Sequence, residues 1–145
     1  MTNNTITQIE EEIIREFSVF SDWMDKYEML IETGKELGEM PERYRGEEYL
    51  IRGCQSQVWL GAECSDGKVY FFADSDAIIT KGIIGLLIRV LSGQDAGEVM
   101  NAEMKFVEAI GLREHLSPTR ANGLVAMIKQ MKMYAMAFHL KNKAQ

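Results

Sequence analysis

At 145 residues, 46% of them hydrophobic, the chain can bury roughly 70% of the surface its unfolded form would expose, and it fits one domain spanning residues 1–145. A balance of 22 acidic against 16 basic residues gives a net charge of −6, which excludes nucleic acid and anionic membranes as general partners while leaving room for a local basic patch. Two cysteines are too few for a disulfide framework, and MTNNTITQIEEEIIREF lacks the basic start and apolar core of a secretory signal. The expected setting is the cytoplasm, with reduced thiols.

Thr7 followed by Glu10 reads as a capping box, and Ile9, Ile13, Phe17, Phe20 and Met24 recur at helical spacing. Ser21 or Asp22 caps a second helix carrying Trp23, Tyr27, Leu30 and Ile31, closed by Gly34, Gly38 and Pro41. After a charged connection, PERYRGEE, three runs rich in β-branched and aromatic residues read as strands: YLIR, QVWLGAE and VYFFAD. Asp66-Gly67, placed between the last two, signals a hairpin, with Cys64 in the turn.

Asp74, Ser75 and Asp76 stand where side chains can cap the helix that starts at Ala77. That segment, Ala77 to Leu91, is apolar nearly all round but shorter than the roughly 20 residues needed to cross a bilayer, and it holds Lys81 and Arg89. It reads as a central core helix in which Gly82 and Gly85 admit a close neighbour. Short helices follow around Asp95–Asn101 and Lys105–Ile110. Pro118 opens a last helix with Leu124, Ile128, Met131, Ala135 and Phe138 on its buried stripe, and a frayed tail is expected at 141–145.

The segment RGCQSQVWL places Cys54 after a glycine and among polar residues, at a bend between strands. Packing cysteines sit among apolar neighbours. Reactivity depends on positive charge and exposure, and Arg52 lies two residues away, although a bend leaves their distance open. Residue types alone leave both a sulfur-carrying or nucleophilic thiol and a passive turn cysteine standing.

GCQSQVWL at 53–60, ADSDAIITKGIIGLL at 73–87 and SPTRANGL at 117–124 together resemble the SufE/CsdE family of sulfur-acceptor proteins. The three motifs stand in the expected order over most of the chain. The resemblance implies an α+β fold, with a small antiparallel three-stranded sheet flanked by helices, shared with iron–sulfur scaffold proteins of the IscU type. It implies a role as persulfide acceptor and activator of a PLP-dependent cysteine desulfurase of the SufS or CsdA type, passing sulfur to a SufBCD-type scaffold. The carrier would be Cys54, holding a transient persulfide. No cofactor of its own is implied, since the PLP resides in the partner, and the protein would be a relay accessory of a family that often forms homodimers.

Gly53, Gln55, Ser56, Gln57, Asp74, Asp76 and Arg120 fall in the same motifs and are candidates for loop support or partner binding, although capping alone accounts for at least one of the aspartates. Competing readings are a thiol- or peroxide-dependent redox protein using Cys54, and a pure interaction adaptor. Cys54, Cys64, His115 and His139 match no metal-ligand spacing. Trp59 is expected in the core. Met127, Met131, Met133 and Met136 read as plastic packing with some surface patch.

Overall fold

The computed structural model describes residues 4–143. Helix α1 (Ile6–Ser18) starts two residues earlier than Thr7 predicts: Thr5 is the N-cap and forms the capping box with Gln8. Glu10 is freed for a different task. It is buried, and its carboxylate accepts the Phe106 N–H at 2.9 Å, tying α1 to the C-terminal half of the chain.

Helix α2 (Trp23–Lys35) is capped by Asp22 and packs on α3 (Ile78–Leu91). A side chain is impossible at their crossing. A Cβ on Gly82 would stand 2.1 Å from the Leu30 carbonyl oxygen, and one on Gly34 3.0 Å from the Gly82 nitrogen. Most of α3 is buried, from Ile83 and Ile84 to Val90 and Leu91, as an apolar helix sandwiched between a sheet and a second helix must be.

Strands β1 (Val58–Ser65) and β2 (Lys68–Ser75) pair antiparallel along their whole length. Asp66 and Gly67 close the hairpin with φ of 53° and 78°, the two left-handed residues of a type I′ turn. Strand alternation buries Val58 and Leu60 against α3's side of the sheet and puts Trp59 on the other face, half-buried under Arg45. Trp59 is thus not the core residue expected.

The third strand is also not the one expected. Residues 47–49 form a 3-10 turn, and YLIR contributes only a single bridge, Leu50 to Trp59. The sheet is completed instead by β3 (Gln94–Asp95), in the order β1-β2-β3. Gly93, at φ 83°, swings the chain back from α3 so that its N–H donates to Val69.

Three short helices, α4 (Ala96–Met100), α5 (Phe106–Ala109) and α6 (Leu112–His115), lead to α7 (Pro118–Lys143). The last helix continues through Lys141–Lys143, where a frayed tail was expected; residues 144–145 lie outside the described region. Leu124, Met127, Met131 and Ala135 form its buried stripe, with Ile128 and Phe138 half-buried at the margins. Among the described residues no helix is long and apolar enough to cross a membrane.

Candidate functional site: the Cys54 cleft

Between Ile51 and Val58 the chain leaves the sheet edge as a loop and returns. Both ends are fastened. The Ile51 N–H donates to the Val58 carbonyl at 2.8 Å. At the other end the Gln57 N–H donates to Asp76 Oδ1 (3.1 Å), while the Gln57 carbonyl accepts from the Ser75 hydroxyl (2.8 Å) and the Asp76 N–H (3.3 Å). Gly53 takes φ 96°, a left-handed conformation that bulkier residues adopt only with strain, and this turns Cys54 toward α7.

Cys54 is half-buried against the core, and its S–H faces the Gly123 carbonyl at 3.7 Å. Gly123 shapes the seat: a Cβ there would lie 3.4 Å from Sγ, in ordinary contact, so any side chain longer than alanine would crowd the sulfur. Gly53 also rests on this helix, with Ala126 the neighbour of any Cβ it might carry. Burial pushes the Cys54 thiol up, and no cation acts against that shift. In this resting geometry the sulfur is a protonated thiol with one weak acceptor.

The cleft around it holds about 350 Å³, and its walls include Gln55, Ser56, Thr80, Ser117 and Arg120. Arg120 is exposed in the first turn of α7, its side chain in no ion pair among the described residues. Its backbone N–H donates to the Ser117 hydroxyl at 3.3 Å. Arg52 faces elsewhere: it lines a separate cleft with Glu48, Tyr49 and Lys129. Proximity in sequence therefore gives it no role in activating the thiol.

The two aspartates do not cap α3. Its N-cap is Ala77, without a side-chain cap, and the nearby Ser75 hydroxyl accepts the Ala77 N–H at 3.2 Å. Asp76 instead holds the loop through Gln57. Asp74, near the end of β2, is paired with Arg45 (2.7 Å) and Lys81 (3.1 Å), and accepts the Ser75 N–H at 2.8 Å. Burial raises the Asp74 carboxyl, but that N–H and the two cations outweigh it and hold it below the usual carboxylate range. Since Arg45 also covers Trp59, Asp74 braces the strand from which the loop departs.

The sequence placed Gly123 inside a motif without a role and did not single out Thr80 or Ser117. The one signal for Gly123 was an Asn-Gly pair inside a helix, where glycine costs about 1 kcal/mol and demands a reason. Cys64 is not in the turn, where it was expected, but within β1, where it pairs opposite Val69 because the strand ladder runs on to Ser65, and Asn142 lies 3.7 Å from its sulfur. Six strand residues from Val58, it is about 20 Å along from the loop. His115 stacks on Trp23 at 4.0 Å, and its Nδ1 meets the Gly111 carbonyl oxygen at 3.0 Å. Among the described residues no three His, Cys, Asp or Glu side chains gather as a metal site.

Fold and cleft define the class: an α+β protein that presents one cysteine on a fastened loop over a small polar cleft. Residues 11–135 match the SufE family, described as an Fe-S metabolism associated domain. An uncharacterized SufE-like protein of Rhizobium meliloti is 39% identical, with 86% of this chain and 93% of the relative covered. One from Synechocystis is 38% identical, over 97% and 88%. SufE-like protein 1 of Arabidopsis thaliana, chloroplastic/mitochondrial by name, is 35% identical over 92% of this chain and 36% of its own length. The chain belongs to the SufE family and, through it, to iron–sulfur metabolism. A hypothetical protein from Thermus thermophilus, 21% identical, has the same fold, with a TM-score of 0.76 over 91% of this chain and 96% of its own.

Proposed function

We propose that the protein accepts a persulfide sulfur on Cys54 from a PLP-dependent cysteine desulfurase, stimulates that enzyme by clearing its cysteine, and passes the sulfur to an iron–sulfur scaffold in a reducing compartment. The supporting observation is the seat of Cys54: a thiol kept protonated against α7 on a loop fastened at its two ends. Sulfur transfer is a thiolate displacement and requires an accessible sulfur on a movable segment, with no array of acids and bases.

Leaving the seat rehydrates the sulfur and returns its acidity toward the ordinary value, so the fraction that has lost its proton to solvent rises and supplies the reacting thiolate. The Cys54 thiolate attacks the outer sulfur of the partner's persulfide. The new S–S bond forms on Cys54 as the old one breaks, and the partner's cysteine departs as a thiolate. No net oxidation occurs. Arg120, on the cleft wall, is placed to attract the anionic persulfide or an acidic partner residue. The protein needs no cofactor of its own for this step.

A peroxide-reducing role is less well supported by the same observation, since peroxide-sensitive cysteines are low-pKa, exposed thiolates, whereas burial raises the thiol of Cys54. The test is intact mass after incubation with a desulfurase and L-cysteine. Added sulfur is expected on the wild type and Cys64→Ser, and none on Cys54→Ser. Sulfur persisting on Cys54→Ser, or absent from all three, would overturn the reading.

A further inference from the structure

Helix α7 offers a second face that the Cys54 cleft does not use. Val125, Met133, Met136 and Leu140 are 49%, 49%, 45% and 61% exposed and stand on one stripe of that helix. All but Leu140 border a groove of about 720 Å³ between α7 and the α4–α5 segment, floored by Met100, Met104, Val107 and Ile128. The groove and the Cys54 cleft share no lining residue. Val125 to Met136 spans about 17 Å, or three helical turns.

Charge distinguishes this groove from the rest of the molecule. Its border carries Lys105, Arg113, Lys129 and Lys132 against Glu103 and Glu108, an excess of two positive charges in a chain of net −6. Both carboxylates are engaged: Glu103 with Lys105 at 3.5 Å and Glu108 with Arg113 at 3.3 Å. Lys132 donates to the Ala102 carbonyl, a neutral partner, and Lys129 extends the basic edge toward Arg52.

We propose that this groove receives an amphipathic helix of a partner protein whose apolar stripe is edged by carboxylates. Flexible methionines reshape around such a helix, and anchors at i, i+3, i+4 and i+7 match a three-turn groove. A second copy of this chain is a poor occupant. Two-fold pairing through the stripe would set Lys129 and Lys132 against the same lysines of the other copy. The bound helix lies beside the Cys54 cleft and leaves it open.

The test uses the full chain and two fluorescent helical peptides with leucines at i, i+3, i+4 and i+7. One has glutamates flanking that stripe, the other lysines. The glutamate peptide is expected to bind saturably, with the lysine peptide weaker by roughly tenfold or more and the preference reduced by salt. Met133→Glu/Met136→Glu should abolish glutamate-peptide binding, and Lys129→Glu should erase the preference, both with an unchanged circular dichroism spectrum. Sulfur loading of Cys54 should also persist in these variants, so the groove and the proposed sulfur chemistry can fail separately. Equal binding of the peptides, no saturable binding, indifference to the variants, or a sedimenting dimer that Met133→Glu/Met136→Glu dissociates would overturn the proposal.

Discussion

The sulfur of Cys54 and the backbone of Gly123 lie in direct contact: S–H faces carbonyl at 3.7 Å, and a Cβ on the glycine would touch Sγ at 3.4 Å. Alanine at 123 therefore just fits. Gly123→Ala is expected to stabilise α7 by up to about 1 kcal/mol through helix propensity, with little change in alkylation. Gly123→Leu should fill the seat, expel Cys54 and accelerate its alkylation by iodoacetamide severalfold. Urea denaturation and timed mass spectrometry check the pair, and equal alkylation of Gly123→Leu and wild type would refute the seat.

Asp76 fastens the loop by accepting from Gln57. Removing one such hydrogen bond is worth about 1 kcal/mol, or a roughly fivefold shift toward the open loop. Asp76→Ala should speed Cys54 alkylation by that order, and Asp76→Asn, which keeps an acceptor oxygen, by less. Hydrogen exchange confined to residues 52–57 is the accompanying readout.

The raised thiol has a consequence for alkaline stability. Burial keeps Cys54 protonated in the fold above the ordinary value of 9.0, so as pH climbs past 9 the unfolded chain ionises first and folding weakens. Its alkylation midpoint should accordingly lie above that of a model peptide. Cys54→Ser should flatten part of the alkaline decline; Tyr44 and Tyr134, both raised by burial, contribute to the rest.

Asp74 gives the opposite sign. Its carboxyl is lowered in the fold, so its contribution is complete above the ordinary aspartate value of 3.8 and is lost as pH falls through the folded value. Asp74→Asn leaves Arg45 and Lys81 without their anion and is expected to cost about 2 kcal/mol at neutral pH. Its stability should also fall less steeply than wild type in acid, with Glu16, lowered by Arg89, supplying part of the remaining slope.

Gly82→Ala tests the helix crossing. With the Leu30 carbonyl 2.1 Å from the new Cβ, α2 and α3 must separate, and a loss of about 3 kcal/mol in urea denaturation is expected. A neutral outcome would mean that the helices do not cross as described.

How legible this was in the sequence depended on the range of the deciding interaction. Asp66-Gly67, the α3 apolar run and Pro118 carry their own conformational instructions, and those elements stand where expected. YLIR has strand-forming residues, yet only Leu50 finds a bridge partner, whereas Gln94 and Asp95 have weak strand propensity and are paired because Gly93 returns them to β2. Thr5 and Thr7 are equally good caps in isolation, and the burial of Glu10 under Phe106, 96 residues on, favours the former. At the site, motif resemblance singled out Cys54, Asp76 and Arg120, but Thr80 meets the cysteine only through packing.

The fastened loop also sets a working radius. Cys54 stands three residues from Ile51, whose N–H is fixed to Val58, so even a fully extended tether lets its backbone travel only about 10 Å from that anchor. A donor sulfur buried deeper than this in another protein is beyond reach unless the donor's own surface opens or moves. The short leash thus makes delivery a problem of shape between two surfaces, one solved by docking close before any sulfur moves.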